Sequence, residues 1–131
     1  MSRVVAAARA WIGTPYVHQC SVKGVGTDCL GLVRGVWREL CGPEPERMPA
    51  YTPDWGEAGG IELLLGGAGR LLRPAPDEQP GDVLIFRMRD GAVAKHMGIL
   101  AETGAAPSFV HAYDRHGVVE SPLSAPWRAR I

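Results

Sequence analysis

The spacing of apolar residues changes halfway along the chain, and this change constrains the fold more than any other feature of the sequence. In the first third, apolar residues recur three and four positions apart, which predicts helices over about 2–12 and from Cys29 to the stop signal Gly42-Pro43. The second half instead has short apolar runs separated by turn residues, which predicts β-strands. These strands are expected at 83–86, 94–101, 108–113 and 117–121.

Helices followed by strands joined through tight turns predict an α+β fold. We expect a single domain over 1–131, with N-terminal helices packed on a C-terminal antiparallel β-meander. A proline-rich connection separates the two halves, and a third helix is expected within it at about 55–65. The final stretch, 127–131, looks like the start of a further strand, so the domain is expected to be truncated at its C-terminus.

Charge and hydropathy exclude several classes of protein. The 131 residues include 14 basic and 14 acidic side chains that are not gathered into runs, so no nucleic-acid surface is expected. No stretch approaches the roughly 20 apolar residues of a membrane span. The N-terminal apolar run is short and ends at Arg9, so it predicts the first helix rather than a signal peptide, and the chain is expected to be cytoplasmic as synthesised.

Cys29 is the candidate nucleophile because of its place at the start of the second helix. Thr27 or Asp28 is expected to cap that helix. A thiol in the first turn lies among unpaired N–H groups at the positive end of the helix dipole, which favours the reactive thiolate. The charge of Asp28 acts against this effect, so a cationic partner is also needed.

Two histidines on consecutive predicted strands are the candidates for that partner. If Thr103-Gly104 is a two-residue turn, His96 lies directly opposite His111, on the same face of the sheet. A longer loop would shift the register but keep both on one face if the shift is even. Cys29 would then be the nucleophile, His96 the base and His111 the group that orients His96.

Neighbouring groups complete this predicted site. Gly98, two positions after His96, is expected to let this face of the sheet approach the helix that carries Cys29. The backbone N–H of Cys29 is a candidate oxyanion donor, and the hydroxyl of Tyr16 could be a second.

Other interpretations of these residues are weighed beside this one. A disulfide between Cys20 and Cys29 would disable the site, and the odd number of cysteines argues against a disulfide framework. A zinc site formed by His18, Cys20 and Cys29 matches no common ligand spacing. Cys41 is expected to be a small buried apolar residue, and His18 and His116 are expected to face solvent from loops. No metal or cofactor is expected.

The order of these motifs resembles the NlpC-type cell-wall peptidases of the papain-like superfamily. The resemblance covers almost the whole chain and depends on five short segments: Thr14-Pro15-Tyr16, Asp28-Cys29-Leu30-Gly31, Pro80-Gly81-Asp82, His96-Met97-Gly98-Ile99 and Phe109-Val110-His111-Ala112. It implies Cys29, His96 and His111 as catalytic residues, and Tyr16 and Asp28 as substrate-binding residues. The chain differs from many members in two places. Leu30 follows the cysteine where they have serine, and His18-Gln19-Cys20 stands where they have glycines.

The resemblance also implies a function. The implied function is that of a cysteine peptidase, which hydrolyses an amide bond in peptidoglycan stem peptides. The implied bond is the one between γ-D-glutamate and a diamino acid. Asp-Cys-Leu-Gly-Leu and the stretch 118–123 resemble the short versions encoded with phage tails and gene transfer agents, so phage-like tail proteins are expected partners. Two alternatives stay open: a structural tail-tip component with little activity, and an acyltransferase or small-molecule amidase on the same fold.

Overall fold

The computed structural model describes residues 2–44, 72–88 and 94–131, in which three helices accompany a small hairpin and a four-stranded sheet. The helix expected at about 55–65 lies outside the described residues. The elements follow the chain in this order: α1 (Arg3–Arg9), β1 (Ser21–Val22), β2 (Gly26–Thr27), α2 (Cys29–Cys41), β3 (Val83–Arg87), β4 (Ala94–Glu102), β5 (Ser108–Tyr113), β6 (Gly117–Pro122) and α3 (Ala125–Arg128).

The sheet is a meander in which each strand pairs antiparallel with the next along the chain, in the order β3-β4-β5-β6. This arrangement confirms the predicted layout of N-terminal helices on a C-terminal meander. The predicted bounds of β5 are those observed, and the other strands extend one residue beyond their predicted ends. The segment before α2 contains the short β1–β2 hairpin, in which Ser21 pairs with Thr27.

Capping residues define where the two N-terminal helices begin. The Ser2 hydroxyl accepts the N–H of Val5 at 3.2 Å and caps α1. This helix ends at Arg9, three residues earlier than predicted, and the chain turns through Gly13. Ile12, beyond the end of the helix, is therefore 47% exposed.

The helices pack on one face of the sheet and form the main core. Trp11, at 3% exposure, lies against α2 where Gly35 has no side chain, and a Cβ at that position would collide with the indole. The other face of the sheet carries a second core, which the half-buried side chain of Trp127 covers. The buried residues of this second core are Leu84, Phe86, Leu100, Phe109 and Leu123.

The C-terminal segment is a helix, so the prediction of a strand at 127–131 was wrong. Ser124 is the N-cap residue of α3, and Pro126 lies in its first turn. Proline is favoured there because the first turn of a helix does not use its N–H groups. The backbone N–H of Arg87 donates a hydrogen bond of 2.7 Å to the carbonyl of Arg130, which holds the end of the chain against β3.

The three cysteines are free thiols, so no disulfide joins Cys20 to Cys29. Cys41 is exposed, which corrects its expected burial, because it lies at the end of α2 where the helix leaves the core. Within the described residues, no helix has the length and apolar character needed to cross a membrane.

Candidate active site

Asp28 fixes the start of α2 and the loop that precedes it. One carboxylate oxygen accepts the N–H of Gly31 at 2.7 Å, and the other accepts the N–H of Gln19 at the same distance. Gln19 has a positive φ of 63°, a conformation that a non-glycine residue adopts only when its surroundings hold it there. Because Asp28 is 2% exposed, these hydrogen bonds establish it as the helix cap, while its role in binding substrate stays a prediction.

The Cys29 thiol is buried beside β4. Its side chain is 4% exposed, and Sγ lies 3.9 Å from the carbonyl oxygen of Lys95. The backbone N–H groups of Met97, Leu30 and Cys29 act on the sulfur and favour its negative form. Burial and the nearby charge of Asp28 outweigh them and raise the pKa of Cys29 to about 12. The resting residue is therefore a neutral thiol and not the expected thiolate.

The two predicted histidines are joined by a short hydrogen bond. Nε2 of His96 lies 2.8 Å from Nδ1 of His111. The rings are almost completely buried, at 7% and 1% exposure. Burial lowers the pKa of His96 to about 3, with a smaller effect from His111, and lowers the pKa of His111 to about 4, with a smaller effect from His116. Both rings are therefore neutral near pH 7.

The strand register brings these rings together diagonally. Ile99 pairs with Val110 and Leu100 with Phe109, and this register places Gly98, not His96, opposite His111. The predicted direct pairing of His96 with His111 was wrong, because the link between β4 and β5 runs from Thr103 to Pro107 and is longer than a two-residue turn. The shift is even, so both histidines stay on one face, as predicted.

Gly98 makes this diagonal contact between the rings compatible with the sheet. A Cβ at Gly98 would lie 2.9 Å from the Phe109 ring and 3.1 Å from the Cβ of His111. The glycine thus leaves room for the β5 side chains on the face that faces away from the helices. The expectation that Gly98 lets the sheet approach α2 was therefore wrong.

The thiol and the histidines approach the same part of β4 from different sides. Cys29 clusters with Met97 and Leu30 on the helix side of the sheet, whereas the rings of His96 and His111 lie with Phe109 on the other side. β4 pairs with β5 only from Ile99 onward, so the backbone around His96 lies outside that pairing. There the thiol contacts the carbonyl of Lys95 and the N–H of Met97. Among the described residues, Cys29 and His96 form no side-chain hydrogen bond, and Nδ1 is the nitrogen of His96 that His111 does not use.

Two residues that the sequence analysis did not single out contact the histidine pair. The Ser121 hydroxyl on β6 lies 2.9 Å from Nε2 of His111. The Trp127 ring lies over both imidazoles, with its centroid 5.7 Å from that of His96 and 5.2 Å from that of His111. Two signals in the sequence concern these residues. Ser121 is a polar residue on the predicted strand next to that of His111, and Ser-Ala-Pro-Trp is typical of the start of a short helix that carries Trp127.

Tyr16 is held beside the start of α2, and its role in binding substrate stays a prediction. It forms a bridge with Thr27, immediately before the cap of α2. Burial is the main cause that raises the pKa of Tyr16 above its ordinary value. His18 and His116 are exposed, as expected. In residues 2–44, 72–88 and 94–131, no group of three histidine, cysteine or acidic side chains is placed to hold a metal ion.

Comparisons with known proteins identify the family and agree with the fold. The sequence pattern of the NlpC/P60 family matches residues 13–131. The fold is similar to the crystal structure of the NlpC/p60 domain of the peptidoglycan hydrolase SagA, with a TM-score of 0.59 and 25% identity over 98% of this chain and 92% of that one. The confirmed fold class is thus α+β and papain-like.

A second similar structure is a lipoprotein-like protein of the NLP/P60 family from Staphylococcus aureus, with a TM-score of 0.56 and 22% identity. That match covers 97% of this chain and 37% of the staphylococcal chain, and it bears on the fold alone. A comparison with curated proteins found no match. The family pattern covers most of the chain, including the cysteine and both histidines, and on this basis the chain belongs to the NlpC/P60 family.

Proposed function

We propose that this domain is a cysteine peptidase that hydrolyses an amide bond in peptidoglycan stem peptides, with Cys29 as nucleophile, His96 as base and His111 as the residue that orients His96. The observation that carries the proposal is the 2.8 Å hydrogen bond between His96 and His111, on the strand whose backbone contacts the Cys29 thiol. A base held by a third polar group beside a nucleophile is the arrangement that acyl transfer requires.

The reaction starts from a neutral thiol and a neutral imidazole. When the substrate carbonyl lies against Sγ, the thiol proton passes to Nδ1 of His96 and the sulfur forms a bond to the carbonyl carbon. The positive charge on His96 is stabilised by its Nε2–H bond to His111. The thiol and the His96 ring form no hydrogen bond in the resting structure, so this step requires that substrate binding bring Sγ and Nδ1 within hydrogen-bond distance.

The second half of the reaction returns the enzyme to its starting state. The C–N bond of the tetrahedral intermediate breaks, and the leaving amine takes the proton from His96. Water then attacks the thioester with His96 again as base, which releases the carboxylic acid and restores the thiol. The backbone N–H of Cys29, at the start of α2, is the proposed donor to the oxyanion, and the Tyr16 hydroxyl is the second.

The proposed scissile bond is the amide between γ-D-glutamate and a diamino acid. The family resemblance stated from the sequence motifs supports this choice, and similarity to a domain of the peptidoglycan hydrolase SagA supports peptidoglycan as the substrate. Tyr16 and Asp28 are the proposed substrate-binding residues, with Asp28 acting through the loop that it holds beside the thiol.

The proposed route to the cell wall is a phage-like particle. The support is the likeness of Asp-Cys-Leu-Gly-Leu and of 118–123 to short relatives encoded with phage tails and gene transfer agents. On this proposal the protein is made in the cytoplasm and joins tail proteins. Particles purified from producing cells should then contain it, and its absence from them would refute this part alone.

Digestion of purified sacculi tests the proposed activity. Wild type should release stem-peptide fragments whose new termini, identified by mass spectrometry, locate the bond that is cut. Cys29→Ala should release none, and Cys41→Ala, which changes an exposed thiol at the far end of α2, should behave as wild type. Peptides that are modified but not shortened would instead support an acyltransferase. No reaction from the folded wild type would support a structural tail-tip component.

A further inference from the structure

Ser121 completes a row of hydrogen-bonded groups that begins at His96. It lies on β6, where its backbone pairs with Phe109 of β5. Its Oγ is 2.9 Å from Nε2 of His111, and Nδ1 of the same ring is 2.8 Å from Nε2 of His96. His111 is 1% exposed, and in the described part of the chain Ser121 is the sole hydrogen-bond partner of its Nε2.

The proposed role of His96 fixes the direction of each of these hydrogen bonds. To accept the thiol proton, neutral His96 needs a lone pair on Nδ1, and therefore carries its own proton on Nε2. That proton is donated to Nδ1 of His111, which must then be the nitrogen with the lone pair. Neutral His111 consequently carries its proton on Nε2 and donates it to Oγ of Ser121.

The reverse arrangement would disable the base. If Ser121 donated to His111, the proton of His111 would be on Nδ1 and the proton of His96 on its own Nδ1, where it would block uptake of the thiol proton. A hydroxyl can accept as well as donate, so Ser121 permits the productive arrangement. Without that hydroxyl, the productive arrangement would leave a buried N–H of His111 unpaired, which is costly.

We propose that Ser121 is a positioning residue of this reaction: it accepts the Nε2 proton of His111 and so keeps both histidines in the tautomers that leave Nδ1 of His96 open. This inference rests on the proposed function, since it takes His96 as the base. It names a group beyond the cysteine and the two histidines, one that acts on the reaction only through His111.

Nitrogen NMR of the imidazole rings tests the tautomers without any substrate. In the wild-type protein near pH 7.5, we expect both His96 and His111 to carry their protons on Nε2. Ser121→Ala should produce a population with the proton on Nδ1 of His111, and Ser121→Thr should restore the wild-type pattern. Ser108→Ala is the matched control, because it removes a β5 hydroxyl bonded to Glu120 at 2.7 Å and leaves the histidines untouched.

Kinetics on a stem-peptide substrate provides the second readout. Ser121→Ala should lower kcat about tenfold, the value of roughly one hydrogen bond, with KM changed less than about twofold. Ser121→Thr should recover most of kcat, and Ser108→Ala should retain it. Should Ser121→Ala fail to fold, Ser121→Cys keeps the size with a weaker acceptor and is expected to show the same changes to a smaller extent.

Several results would overturn the inference. These are a folded Ser121→Ala protein with wild-type tautomers and kcat, a wild-type protein with the His111 proton on Nδ1, and an equal loss of kcat in Ser108→Ala. A wild-type protein that cleaves no stem peptide would refute the proposed function, whereas the NMR comparison would still decide whether Ser121 sets the tautomer of His111. The two failures are therefore distinguishable.

Discussion

Gly98 on β4 lies so close to His111 on β5 that a Cβ on the glycine would be 3.1 Å from the Cβ of the histidine. The same added atom would lie 2.9 Å from the Phe109 ring and 3.0 Å from the carbonyl oxygen of Val110. All three distances are shorter than ordinary carbon contacts, so any side chain at this position must move β5. The contact between the two histidines therefore depends on a residue that carries no side chain.

Gly98→Ala is expected to reduce both activity and stability. The added methyl overpacks a buried part of the sheet, which costs roughly 1–3 kcal/mol, and displaces His111 from His96. Chemical unfolding gives the loss of stability, and the rate of stem-peptide cleavage by the folded fraction gives the effect on the site. Gly104→Ala is the control: its φ of +90° makes alanine strained there, but open space surrounds it, so activity per folded molecule should be kept. Equal activity in Gly98→Ala and wild type would contradict this account of the glycine.

The three free thiols should react with iodoacetamide in the order of their exposure. Cys41 is exposed, Cys20 is partly buried, and Cys29 is buried with its pKa raised to about 12 by burial and by Asp28. Alkylation requires the thiolate, so at pH 7.5 Cys41 should be modified first and Cys29 last. Peptide mapping after timed quenching measures the order. A Cys29 that reacts before Cys41 would show a resting thiolate, contrary to the structure.

Stability should fall as the pH drops below 6.5. The unfolded imidazoles titrate near pH 6.5, whereas in the folded protein burial lowers the pKa of His96 to about 3 and that of His111 to about 4. Below pH 6.5 the unfolded state therefore binds protons that the folded state does not bind. Each histidine then removes up to about 1.4 kcal/mol of stability per pH unit, until the pH reaches its folded pKa.

Urea unfolding between pH 6.5 and 5 measures this effect. Within that window the carboxylates of Glu44 and Glu120, whose pKa values are lowered by Arg34 and Arg9, remain charged and do not contribute. A double variant, His96→Gln with His111→Gln, should show a much flatter dependence over the same range. A wild-type stability that is constant from pH 6.5 to 5 would show that the rings are accessible to protons.

Trp127→Ala should expose the two imidazoles. The indole lies over His96 and His111 and covers the second core, so its loss opens that face of the sheet to water. We expect the pKa of both histidines to rise toward 6.5 and the free energy of unfolding to fall by roughly 2–4 kcal/mol. NMR titration follows the first change and urea unfolding the second. Trp37→Ala, which removes a half-buried indole of α2 bonded to the carbonyl of Pro43, is the control and should leave the histidine pKa values unchanged.

Much of this fold could be predicted from the sequence because local signals agreed with the final packing. Ser2 and Asp28 are the residues that cap α1 and α2, and Gly42 ends α2, as their residue types predict. The alternation along β4 and β5 put His96 and His111 on one face, and the observed register, shifted by two residues from the predicted one, keeps them there. The α+β layout followed from such local patterns, and its papain-like character was implied by the family resemblance.

The remaining features depend on distances that the sequence does not contain. The pairing of β4 with β5 is set by the length of the loop from Thr103 to Pro107, which a Thr-Gly turn signal did not reveal. The neutral state of Cys29 results from burial, which outweighs the helix dipole that the sequence made visible. Ser121 contacts the histidines because β6 pairs with β5, and Trp127 because α3 packs against the sheet, and neither contact is visible in the local sequence.

The central claim is that the Cys29 sulfur attacks the amide carbonyl, and the most direct measurement is the mass of the protein during turnover. The wild-type protein, mixed with a γ-D-glutamyl diamino-acid peptide and quenched in acid, should gain the mass of the acyl fragment as a thioester. Peptide mapping should locate that mass on Cys29, and Cys29→Ala should neither gain it nor cleave the peptide. An acyl group on another residue, or cleavage retained by Cys29→Ala, would contradict the account.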